Sequence, residues 1–121
     1  MIPSVDALVP VLLVGAGGTF GALARFGVDT WLGSRGVLVV NVLGSVALGA
    51  LVAAPLDGQV LLVFGTGFCG AFTTFSSFAV RVAERAEADE IGGAVRYAAL
   101  MLVAALVGVS VGATAVQAVL P

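Results

Sequence analysis

Four runs of apolar residues without a single charge divide this chain: Ala7 to Ala24, Gly36 to Leu56, Gly58 to Val80, and Tyr97 to Pro121. Each is long enough to cross about 30 Å of hydrocarbon as a helix. The pattern predicts an all-α membrane protein, a single four-span domain over residues 1–121. Between the runs lie a polar lead from Met1 to Asp6, a first connection flanked by Arg25 and Arg35, and a tight turn at Pro55, Asp57 and Gly58. The third connection runs from Arg81 to Arg96. There Glu84, Arg85 and Glu87 carry the helix into water, and Gly92 and Gly93 close the loop. The first run lacks a basic leader and ends in glycines and Arg25 in place of a cleavage site, so it is expected to be a mature span rather than a signal.

The third run departs most from ordinary membrane helix. From Gly65 it reads Gly-Thr-Gly-Phe-Cys-Gly-Ala-Phe-Thr-Thr-Phe-Ser-Ser-Phe. Unpaired amides in hydrocarbon cost several kcal/mol each, so such a segment implies a backbone that breaks or lines a path. Gly65, Gly67 and Gly70 mark the expected break, and the hydroxyls of Thr73, Thr74, Ser76 and Ser77 can return hydrogen bonds to nearby carbonyls. Phe75 and Phe78, three apart, share nearly one face of the helix that resumes. In the second run Asn41 is an amide in a span core, which either binds another helix or faces a polar path. Ser110 and Thr114, four apart in the fourth run, form either a seam of small residues or part of a polar track.

Composition agrees with this reading. Of 121 residues 60 % are hydrophobic and 10 % charged, with 17 glycines and no histidine or lysine, and mean hydropathy is +1.19. Cys69 is a lone cysteine, which excludes an internal disulfide, and zinc, haem and Cys-His chemistry lack their ligands. No acid-base pair can be drawn inside the membrane, so no enzyme is expected, and nothing points to nucleic acid. All the arginines lie on the first and third connections, which places those connections in the cytoplasm and both termini outside. Asp29 follows Arg25 by four residues, a spacing that pairs charges on one helical face. Alternatively, Arg25 braces the helix end near an anion entrance. Trp31 beyond it suits an interfacial anchor. Four short helices enclose little interior, so oligomerisation is expected, with glycines and alanines on the faces that meet, and Gly17 and Gly21 have the i, i+4 spacing of a close helix contact.

Three segments, in this order, closely resemble the Fluc (CrcB) fluoride channels: Gly17-Gly18-Thr-Phe-Gly21-Ala22-Leu-Ala-Arg25, Val40-Asn41-Val-Leu-Gly44-Ser45, and Gly67-Phe-Cys-Gly70-Ala-Phe-Thr73-Thr74-Phe75-Ser76-Ser77-Phe78. The last is highly specific. The resemblance implies a passive, fluoride-selective channel of the bacterial inner membrane that exports cytoplasmic fluoride. It further implies an antiparallel dual-topology dimer with two fluoride pathways and a central structural sodium ion. By motif position, the Gly70 and Thr73 carbonyls would hold the sodium, Phe75 and Phe78 would line the pores, and Asn41 and one of Ser76 and Ser77 would face a pathway. Arg25 would stand near a vestibule, and Ser110 and Thr114 are candidates for the pathway too.

Two positions depart from the family pattern. Val37 stands where threonine is common, removing one polar vestibule contact, and Ser77 stands where threonine is usual, keeping the hydroxyl. The arginine bias also favours one orientation, so the second subunit is either an inverted copy of this chain or an oppositely biased homologue. Two other classes fit the sequence less well. A small-solute or multidrug exporter would need an intramembrane carboxylate, and Asp6, Asp29 and Asp57 sit at helix ends; a scaffold built on glycine faces leaves the Phe75 to Phe78 segment without a purpose.

Overall fold

The computed structural model describes residues 4–120, so Met1 to Pro3 of the lead and Pro121 of the fourth run lie outside the described residues. Helix α1 spans Val5–Leu32 and passes the predicted end at Ala24. Apolar residues Phe26, Val28 and Leu32 extend the hydrophobic run beyond it, and Arg25 finds a backbone acceptor inside the fold. It stops at Gly33, whose φ of +53° is left-handed and free of steric cost only for glycine. A 3₁₀ turn, Gly33–Arg35, leads into α2, Gly36–Ala53. Helix α2 ends at Ala54, extended as a residue before proline must be.

Helix α3 occupies residues 58–72. The Asp57 carboxylate caps it by accepting from the Val60 N–H at 3.0 Å. Its centre, Leu61–Cys69, is wound as a π-helix. The glycine cluster therefore does not break the helix, contrary to expectation. It allows close packing: a Cβ at Gly67 would stand 2.7 Å from the Val14 carbonyl oxygen and 3.0 Å from the Gly18 nitrogen. The break comes later, at Thr73 and Thr74, both extended. Helix α4, Phe75–Glu87, then resumes and leads through a turn to α5, Ile91–Val119. Gly92 and Gly93 lie in the first turn of α5 rather than in a loop, because the Ala94 N–H already donates to the Glu90 carbonyl at 2.8 Å.

Glycine contacts set the directions of the helices. Gly17 abuts the Val63 backbone and Gly21 that of Phe68, so α1 and α3 run in parallel. Gly108 faces Val42 and Ser45 while Gly112 abuts Val46 and Ala50, so α2 and α5 also run in parallel. Asn41 bonds Thr74 whereas Gly65 faces Leu48, which makes α2 and α3 antiparallel. Close approach of this kind is what small residues contribute between helices in lipid.

Three stretches, Val5–Ala53, Gly58–Glu87 and Ile91–Val119, are long and apolar enough to cross a membrane, the mark of an integral membrane protein. The buried apolar core of the described residues is small: Val37, Val40, Cys69, Phe72, Ala94 and Met101. Large apolar side chains elsewhere point outward, as they do in lipid or against another subunit. Trp31, at the end of α1, is 90 % exposed, as an interfacial anchor would be.

Candidate functional site

The break between α3 and α4 is held by side chains from two other helices. Thr74 is the buried polar residue of the core, 5 % exposed. Its N–H donates to Asn41 Oδ1 at 2.8 Å, and its carbonyl accepts from Asn41 Nδ2 at 3.1 Å. One amide thus satisfies both backbone groups of Thr74, as a buried backbone requires. In a continuous helix the Thr74 N–H would serve the Gly70 carbonyl; here it is diverted. Arg25 Nη1 donates to the Thr73 carbonyl at 3.4 Å. Arg25 therefore braces the break instead of pairing with Asp29, whose buried Oδ1 has no hydrogen-bond partner among the described residues.

Beyond the break, Thr74 starts α4. Its Oγ1 accepts from the Ser77 N–H at 3.1 Å and donates to Ser77 Oγ at the same distance, with Ser76 Oγ 3.3 Å away. Thr73 Oγ1 returns its proton to the Cys69 carbonyl at 2.9 Å, the back-bonding foreseen for these hydroxyls.

Two recesses flank this junction. The first, of about 420 Å³, is lined by Asn41, Gly70, Thr73, Thr74, Phe75 and Phe78. Two expected ring positions, the amide and both expected sodium-ligand positions thus border one space. The Phe75 ring is 77 % exposed in the single chain. The second recess, of about 520 Å³, is lined by Ser76, Ser77 and Arg81 together with Asp29, Val37 and Glu84. The serines therefore open onto a different side of α4 from the rings, because neighbouring helix positions lie about 100° apart.

Ser110 and Thr114 border neither recess. Their hydroxyls donate to the Leu106 and Ser110 carbonyls of their own helix, at 2.9 and 2.8 Å. Tyr97 was not singled out from the sequence as a site residue, yet its ring stacks on Phe78. A lone aromatic at the head of a span carries no signal that distinguishes such a contact from an interfacial anchor.

A family model described as CrcB-like protein, Camphor Resistance (CrcB), matches residues 12–113, which takes in all three motifs and the break. This chain belongs to the CrcB family. Relatives of this CrcB protein include the "Fluoride-specific ion channel FluC 2" of Natronomonas pharaonis, 43 % identical over 113 residues, covering 88 % of this chain and 97 % of the relative. The "Fluoride-specific ion channel FluC 1" of Halobacterium salinarum is 50 % identical over 84 residues, 66 % of this chain and 71 % of the relative. The "Fluoride-specific ion channel FluC 2" of Haloarcula marismortui is 42 % identical over 107 residues, 85 % and 90 % of the two chains.

Proposed function

We infer that this CrcB protein is a subunit of a passive, fluoride-selective ion channel, not an enzyme, that lets cytoplasmic fluoride leave the cell. The observation that carries the reading is the helix break clamped by Asn41, opening onto a recess bordered by Phe75 and Phe78 in a chain whose relatives bear the name fluoride-specific ion channel. Fluoride is small and strongly hydrated, so a path must replace part of its water with donors. Asn41 Nδ2 has two hydrogens and uses one on Thr74, leaving one for an anion. Ser77 Oγ accepts from Thr74 and keeps its own proton to donate. Phenylalanine rings met edge-on favour an anion without trapping it.

The path is completed by a second subunit. Four membrane crossings in alternating directions, with the first and third connections in the cytoplasm, make one four-span domain, and two such domains pair in opposite orientations. The 77 % exposed Phe75 and the open side of Gly70, where a Cβ would meet nothing within 4 Å, suit a face that another chain covers. The partner is an inverted copy or an oppositely biased homologue. The residues around the break also fit a structural sodium ion. The Gly70 carbonyl has lost its helical donor, and the Thr73 carbonyl, with two lone pairs, makes only one long bond. Hard carbonyl oxygens suit a hard cation, which would pin the two breaks together without being transported.

Passive conduction suffices for export. Neutral hydrofluoric acid enters from an acidic medium and dissociates inside, and the anion then leaves down the electrical gradient. The test is growth of a fluoride-hypersensitive strain, without its own exporter, that expresses this chain alone or with an oppositely biased homologue. Fluoride resistance that Phe75→Ile abolishes at equal expression supports the reading. Full resistance in Phe75→Ile refutes the assigned path, and sensitivity in every combination refutes the function.

A further inference from the structure

Phe78 is held from outside the recess by Tyr97, which Arg85 holds in turn, and the fluoride path gives neither side chain a role. Its ring stacks on Tyr97 with centroids 6.0 Å apart and planes inclined by 21°. It also lies 5.6 Å from the Phe75 ring at 50°. The guanidinium carbon of Arg85 stands 4.2 Å from the centroid of the same Tyr97 ring. Arg85 is fixed in turn, since its Nη1 donates to the Arg81 carbonyl at 3.1 Å. Phe78 and Arg85 are seven residues apart on α4, two turns along one face, and the side chain of Tyr97 from α5 engages both.

The geometry points to Tyr97 as a positioning residue of the anion path, anchored by Arg85 and acting through the Phe78 ring. This rests on the reading of Phe78 as a path-lining ring. An anion is favoured by the positive edge of a phenylalanine and opposed by its negative face, so what Phe78 contributes depends on how its ring is turned. A ring free on its outer side would sample both presentations. Stacking on Tyr97 restricts that rotation. The cation beside Tyr97 holds the tyrosine against the same helix, so the head of α5 and the end of α4 together set the ring's angle. The consequence is selectivity as well as rate, because the fluoride preference is lost when the ring face replaces the edge.

Purified channels of Phe78→Ile, Tyr97→Leu, Tyr97→Phe, Arg85→Gln and Arg85→Lys, reconstituted at matched amounts of folded protein, test this. The readouts are fluoride efflux per channel and the fluoride-to-chloride ratio. Tyr97→Leu is expected to lower fluoride efflux about fivefold, the scale of one aromatic pair, and to lower the ratio as well. Tyr97→Phe, which keeps the ring, is expected to retain efflux within about twofold of the parent. Arg85→Gln is expected to lose about twofold to threefold, with Arg85→Lys restoring most of it. A purely structural Tyr97 would lower the yield of folded protein and leave the ratio per channel unchanged, and that result overturns the proposal. Unchanged efflux and ratio in Tyr97→Leu, beside an impaired Phe78→Ile, also overturns it while sparing the path. Parental behaviour in Phe78→Ile overturns both. Where Tyr97→Leu does not fold, Arg85→Gln, which keeps both rings and removes only the anchor, decides the matter: a lowered fluoride-to-chloride ratio supports the proposal and an unchanged ratio overturns it.

Discussion

Replacing Asn41 by alanine removes the clamp on the helix break. The variant loses the bonds at 2.8 and 3.1 Å to the Thr74 N–H and carbonyl, and Thr74, 5 % exposed, has no water to take over. Each buried backbone group left unmade costs about 1 to 3 kcal/mol, so the full loss is about 2 to 6 kcal/mol. Part is recovered if the Thr74 N–H returns to the Gly70 carbonyl, which closes the break and brings the cost toward about 1 to 3 kcal/mol. The comparison is Thr74→Ala. It keeps both backbone bonds to Asn41 and loses the Oγ1 cap of the Ser77 N–H, worth about 1 kcal/mol, with the Oγ1 contacts to the Ser77 and Ser76 hydroxyls. Unfolding of both variants in mixed micelles, followed by helical circular dichroism, should place Asn41→Ala below Thr74→Ala by about 1 to 2 kcal/mol. Fluoride efflux should fall about tenfold or more in Asn41→Ala even where it folds, because the rings beyond the break move with it. Equal stability of the two variants, or parental flux in folded Asn41→Ala, would refute the clamp.

Other substitutions probe separate parts of the fold. Gly112→Ala drives a Cβ into the Val46 carbonyl and should sharply lower the folded yield, whereas Gly92→Ala meets nothing within 4 Å and should be neutral or stabilising by up to about 1 kcal/mol; thermal melts in detergent compare them. Gly70→Leu should fold as a single chain yet dimerise poorly and lose any dependence on sodium, as read by size-exclusion chromatography in sodium and in a large organic cation. An intact, sodium-dependent dimer would count against pairing at the break. Ser77→Ala keeps the backbone cap on α4 and removes one donor from the second recess, so it should reduce efflux about twofold to tenfold with unchanged melting, the weight of one hydrogen bond.

Membrane class and the approximate helical stretches were legible because they rest on composition and run length, which lipid enforces residue by residue. The interruption in the third helix was legible too, but its position was not. Glycines at 65, 67 and 70 are local signals of weakness, but the structure spends Gly67 on backbone contact with α1 and turns Gly65 toward Leu48 of α2. The chain breaks instead at Thr74, where an amide 33 residues away in sequence supplies the competing bonds. Helix α1 outruns its apolar core for a similar reason, since Arg25 is accepted by a carbonyl that exists only once the break has formed. The family motif joins Ser76 and Ser77 to Phe75 and Phe78, yet turning round α4 sends the serines to another recess. The contacts of Tyr97 with Phe78 and Arg85 depend on how α4 and α5 pack, and no periodicity within either helix announces them.

The central claim, selective conduction of fluoride, is tested most directly by ion-selective electrode measurements on liposomes containing the purified chain. Parallel vesicles would be loaded with fluoride or chloride, with and without an oppositely biased homologue. The account predicts rapid fluoride efflux with chloride retained, from this chain alone if it pairs with inverted copies of itself, or on adding the homologue if it does not. Equal loss of both anions, or retention of fluoride in both preparations by demonstrably folded protein, would contradict it.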